Sequence, residues 1–122
     1  MTGAFSALRI LIVEDEYYLA EDLAHCLRQE GAQVIGPVGT LAEAADLVER
    51  EQFDCAILDM NLRGDMAYPV ADRLREAEIP FLIATGYNSA SLPDRFTNVP
   101  RVEKPFNPAE VTAAIPLILA RR

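Results

Sequence analysis

Three acids close the first apolar run of the chain. In ILIVEDE, residues 10–16, four apolar residues lead directly into Glu14, Asp15 and Glu16. Further along, Asp59 ends the run AILD, Thr85 follows FLIA, and Lys104 ends RVEK. Carboxylates held side by side repel, so Glu14, Asp15 and Asp59 stay ionised together only beside a cation. Oxygen donors with no histidine or thiolate among them suit Mg2+, which takes a few carboxylates and keeps several waters. A divalent cation, an ammonium and a hydroxyl around one aspartate are the parts needed to hold a phosphoryl group. The aspartate held this way would be the nucleophile of that set, and its product an acyl phosphate. Each residue also has a plainer use: Asp15 or Glu16 as a helix cap, Asp59 as a turn cap, Thr85–Gly86 as a tight turn, Lys104 as a solvated lysine. Against four separate coincidences stands their shared position, each where an apolar run stops.

Residues far apart in sequence meet only if the elements carrying them run side by side. Short apolar runs fall at residues 8–13, 33–37, 54–58, 81–84 and 100–103, and helical patterns separate them. Leu19, Leu23, Cys26 and Leu27 repeat at helical spacing, and Gly31 is a natural stop. Thr40 and Glu43 form a capping box ahead of Leu41, Ala44, Leu47 and Val48. A third helix carries Val70, Ala71 and Leu74. The last opens with Asn107 as cap and Pro108 at its first position, and presents Val111, Ala114, Ile115, Ile118 and Leu119. Residues 88–99 contain Pro93 and little periodicity, so the fourth helix is expected to be short or irregular. Pro116 falls inside the last helix and should kink it. Alternating strands and helices imply an α/β fold with a parallel five-stranded sheet, doubly wound by right-handed crossovers. The near-continuous apolar strands fit burial on both faces. In such a sheet the polar residues gather at the carboxyl edge, where open α/β sheets place their chemistry.

At 122 residues the chain is expected to form one domain over residues 1–122, with one sizeable core. A formal charge of −8 argues against direct nucleic-acid binding, since phosphate backbones are held by lysine and arginine. No apolar run approaches a membrane span and no signal peptide is visible, so a cytoplasmic protein is expected. Cys26 and Cys55 have no metal-ligand spacing and read as free, mostly buried thiols. His25, the only histidine, reads as a surface or packing residue.

The pieces IVEDE, ILDMN, ATG and EKPF, each in its expected strand, resemble the bacterial response-regulator receiver domain over residues 7–120. The resemblance implies a flavodoxin-like (βα)5 fold with strand order 2-1-3-4-5. It implies Asp59 as phospho-acceptor, Glu14 and Asp15 as the acidic pair holding Mg2+, and the main-chain carbonyl of Asn61 as a further ligand. Thr85 would be the phosphoryl-sensing hydroxyl and Lys104 the partner cation. PFLIATGY, residues 80–87, is similar to the PFxFATGY pattern of a receiver subgroup often paired with HWE-type or related histidine kinases, with Ile83 in place of its second phenylalanine. Most receivers carry an aromatic residue three positions before the lysine; here that position is Arg101. Switch candidates are therefore Thr85, Arg101 and Tyr87, the last serving either in switching or in packing. Without the aromatic ring, ordering of residues 86–99 is expected to report the phosphoryl group.

The implied function is two-component signalling, with phosphoryl transfer from a sensor histidine kinase or histidine phosphotransfer protein. A stand-alone regulator is expected, with output through a partner protein or by draining phosphoryl groups, and the family's usual signalling face is the fourth helix, fifth strand and last helix. The domain would catalyse only its own phosphorylation and dephosphorylation. The rival is a pseudo-receiver, an interaction module never phosphorylated. A flavin carrier needs a phosphate loop where this chain has acids, and a haloacid-dehalogenase-type phosphatase has its nucleophile after the first strand, where here the order is rotated.

Overall fold

A computed structural model of the chain describes residue 3 and residues 5–86 and 92–120. Five parallel strands form the main sheet: β1 (Arg9–Val13), β2 (Gln33–Val38), β3 (Cys55–Asp59), β6 (Phe81–Thr85) and β7 (Arg101–Glu103). Their order is β2-β1-β3-β6-β7. This is the expected 2-1-3-4-5 order once a small antiparallel hairpin, β4 (Asn61–Leu62) and β5 (Asp65–Met66), is left out of the count.

The central strands alternate in which layer they serve, as a pleated strand must. Leu11, Val13, Ala56, Leu58, Phe81 and Ile83 face one cluster, which α2 (Leu41–Arg50) and α3 (Tyr68–Glu76) cover. Ile10, Ile12, Cys55, Ile57, Leu82 and Ala84 face the other, under α1 (Tyr17–Gln29) and α4 (Pro108–Leu119). Burial on both faces is why these strands read as unbroken apolar runs. Each fully buried Leu or Ile contributes about 1.5–3 kcal/mol.

The helices begin largely as their sequences require. Thr40 Oγ1 accepts from Glu43 N–H at 3.2 Å and donates to the Glu43 carboxylate at 2.9 Å. Asn107 Oδ1 accepts from Ala109 N–H at 2.9 Å, with Pro108 at the first position of α4. Three further details concern α2, α4 and the thiols. In α2 only Ala44 is fully buried, while Leu41, Leu47 and Val48 are partly buried against the same cluster. α4 continues through Pro116, which sits on the exposed side of the helix. Cys55 is buried, but Cys26 is only half-buried.

In the fourth strand–helix unit, the described residues hold one 3-10 turn, Asp94–Phe96, in keeping with Pro93 and the absence of periodicity. Residues 87–91 lie outside the described residues, and with them part of the segment expected to order on phosphorylation. Its described end is anchored, since the Phe96 ring is fully buried and stacks on Tyr68 at 6.1 Å between centroids. Among the described residues, no helix is long and apolar enough to cross a membrane.

Candidate functional site

β1 and β3 are hydrogen-bonded neighbours in parallel register, so the acids after β1 come beside Asp59, the last residue of β3. β6 flanks β3 on the other side and ends at Thr85; β7 flanks β6 and delivers Lys104. The Lys104 N–H donates to the Thr85 carbonyl at 2.7 Å, which fixes the lysine backbone against β6. On the far side of β1, the Glu14 N–H donates to the Val38 carbonyl at 2.9 Å. Gly39 follows, and a Cβ there would lie 3.3 Å from Asp15 Cα, so the chain passes the acids more closely than other residues easily allow.

These strand ends bring together the residues anticipated from the sequence. One oxygen each of Glu14, Asp15 and Asp59 lies within 4.8 Å of the other two. Lys104 Nζ donates to Asp59 Oδ2 at 2.8 Å and to Glu14 Oε2 at 2.9 Å. The other Asp59 oxygen, Oδ1, accepts from the Asn61 N–H at 3.0 Å. Glu14 Oε2 also accepts from the Glu16 N–H at 3.0 Å, at the start of α1. Glu16 holds the N-cap position of α1, yet its side chain makes no capping bond. Asp59 is 3% exposed, Glu14 5% and Thr85 5%. Among the described residues the buried Thr85 hydroxyl has no hydrogen-bond partner, and a buried polar group left unsatisfied in a folded protein calls for a reason.

Burial dominates the electrostatics. It pushes Glu14 from an ordinary 4.5 up to about 7, against the pull of the Lys104 and Glu16 hydrogen bonds. Burial also pushes Asp59 up, opposed by Lys104 and the Asn61 N–H. For Asp15 burial acts upward too, but hydrogen bonds with Asp59 and Glu14 and the Lys104 charge outweigh it and hold the carboxyl below its usual range. Burial alone would lower Lys104; its bonds to Asp59 and Glu14 win and raise it. Three hard oxygen donors converging, with a cost of burial concentrated on the acids, fit a small divalent cation.

One candidate stands elsewhere. The Arg101 guanidinium donates to the Phe96 and Thr97 carbonyls at 3.2 and 3.3 Å, tying β7 to the 3-10 turn. Tyr87 lies outside the described residues. The β4–β5 hairpin directly after Asp59 also borders the site and is not among the elements expected from the sequence. Its signal was available in Arg63–Gly64, because a glycine second in a two-residue turn marks this hairpin type. Arg63 and Gly64 both have positive φ, 55° and 96°.

The response regulator receiver domain profile matches residues 10–116. The chain belongs to the receiver domain family. Among curated relatives, the receiver is 30% identical to the transcriptional regulatory protein PdtaR of Mycobacterium tuberculosis and 35% identical to the phyllosphere-induced regulator PhyR of Methylorubrum extorquens, each over 93% of this chain. It spans about half the length of these relatives, 57% of PdtaR and 44% of PhyR. The solution structure of SdrG from Sphingomonas melonis Fr1 is 41% identical, with a TM-score of 0.80 over 92% of this receiver and 96% of SdrG. A BeF3-activated conformation of SdrG superposes with a TM-score of 0.76 at 40% identity. The flavodoxin-like fold and a place in two-component signalling follow from this membership.

Proposed function

We propose that this receiver accepts a phosphoryl group on Asp59 from a sensor histidine kinase or a histidine phosphotransfer protein. The observation that carries the reading is the Thr85 hydroxyl, buried and without a partner at the end of the strand next to Asp59. A phosphoryl oxygen on Asp59 supplies the acceptor this hydroxyl lacks. Glu14, Asp15, Asp59 and the Asn61 carbonyl are the residues to hold Mg2+, and the ion, when bound, neutralises charge on the transferring group. Lys104, already on Asp59 Oδ2, is placed to follow the charge onto the phosphoryl oxygens. The chain's own part is to hold Asp59 in place, exclude water around it and offer fixed donors.

The chemistry is self-modification, so the domain is not a turnover enzyme. Signalling then passes to a partner protein through changes at the face of the fourth helical unit, β7 and α4, or phosphoryl groups are drained from the kinase. PFLIATGY supports a kinase of the HWE type or a related one, and a cytoplasmic setting, where such kinases present their phosphohistidine. The test is incubation with acetyl phosphate and Mg2+ followed by mass spectrometry. One acid-stable, base-labile phosphate on Asp59, absent from Asp59→Asn, is expected. Folded protein that takes no label would make the chain a pseudo-receiver.

A further inference from the structure

Arg63 stands on the turn between β4 and β5, four residues beyond Asp59, and its Nε lies 3.8 Å from Asp15 Oδ2 with 81% of the side chain exposed. Its backbone is in the left-handed region at φ 55°, where a side chain bearing Cβ is disfavoured by about 1 kcal/mol and Asn or Gly fits better. The turn is held firmly in that shape. Gly64 N–H donates to Asn61 Oδ1 at 2.7 Å, Leu62 is buried, and the Asn61 N–H is fastened to Asp59. Stability does not explain an arginine here, because an exposed ion pair contributes little. Backbone strain kept beside a reactive group points to what the side chain does.

The charge around it says what that is. A chain of net charge −8 with Glu16 exposed beside the site and Asp15 and Glu14 beneath it repels any anionic phosphoryl donor. A guanidinium matches phosphate oxygens through paired N–H donors. We propose that Arg63 is a positioning residue with two alternate partners: it rests on Asp15 in the metal-free protein, yields Asp15 to the divalent cation, and then steers the anionic donor toward Asp59. This rests on the Asp59 reading above. In the transfer from acetyl phosphate, the Asp59 Oδ–P bond forms as the P–O bond to acetate breaks, and acetate leaves with the electron pair. Arg63 neither gains nor loses a proton.

The two roles predict shifts of opposite benefit in one variant, which a purely structural residue would not produce. Arg63→Asn keeps a residue suited to positive φ and removes the charge; Arg63→Lys keeps the charge. Calorimetric titration of the full chain with MgCl2 at low ionic strength should give an Arg63→Asn Kd about threefold lower than wild type, the size expected of one exposed pair. At saturating Mg2+, labelling by acetyl phosphate should be about threefold slower in Arg63→Asn and close to wild type in Arg63→Lys. Both differences should fade near 1 M salt, where screening reaches about 3 Å. Wild-type Mg2+ affinity in Arg63→Asn, or wild-type labelling rate, overturns the proposal. Wild-type protein that takes no label overturns the Asp59 reading and the steering role with it, whereas label at equal rates in both overturns only the role of Arg63.

Discussion

Glu14 is nearly enclosed, touches Lys104, and still titrates near 7 because burial outweighs the ammonium beside it. An acid whose folded value lies above its unfolded one binds more protons when folded. The stabilisation this represents is complete below about pH 4.5 and disappears as pH rises through about 7. Asp59 is raised for the same first reason, burial, and acts in the same sense. Asp15, lowered, acts oppositely, at the acid end of the scale. Urea unfolding in EDTA at about pH 5 and about pH 7.5 isolates the contribution when wild type is compared with Glu14→Gln. Wild type should lose more stability between the two pH values than the variant does. Equal losses would mean that the carboxyl is not perturbed in this way.

The 3-10 turn Asp94–Phe96 shows how a short element is held without a helical ladder. Phe96 is fully buried against Tyr68 and Phe81, the Arg95 guanidinium lies 4.6 Å from its ring centroid, and its carbonyl takes the Arg101 bond. Arg95 also makes a two-pronged pair with Asp72 of α3, at 2.7 and 2.9 Å. Phe96→Ala should lower stability by about 3–5 kcal/mol, the range for emptying an aromatic site in a packed core. Tyr18→Ala on α1, 81% exposed, should stay within about 0.5 kcal/mol. Denaturant midpoints measure both, and a Phe96→Ala loss no larger than that of Tyr18→Ala would show the turn to be dispensable for the core.

Across the whole molecule, the ends of β1 and β3 place repelling acids at one sheet edge while two packed layers hold them there. A cation that binds only the folded site stabilises the entire fold, by about 2.7 kcal/mol at a hundredfold excess over Kd. For a domain of this size that is a rise on the order of 10 °C in melting temperature. Scanning calorimetry with EDTA and with MgCl2 should show the rise in wild type and a smaller one in Asp15→Asn. Melting temperatures indifferent to Mg2+ would remove the metal site from the account.

Much of this was written in the residue pattern. Apolar runs buried on both faces announce a parallel sheet whatever the details of packing, and Thr40, Asn107 and Pro108 mark helix starts by local chemistry alone. With the sheet inferred, Glu14, Asp15, Asp59, Thr85 and Lys104 had to converge, since parallel strands end on one side. Other features depended on contacts between distant segments. Arg101 could be read as a missing aromatic, but its bonds to the Phe96 and Thr97 carbonyls exist only because the 3-10 turn docks beside β7. The lone Thr85 hydroxyl and the direction of each carboxyl's shift depend on burial, which is set by neighbours from four strands. Arg63 reaches Asp15, forty-seven residues of intervening chain away, because β3 pairs with β1 and the hairpin follows β3 directly. Local propensity specifies where elements begin and which face they bury; long-range packing alone decides which charged groups lose their water and which partner they find in its place.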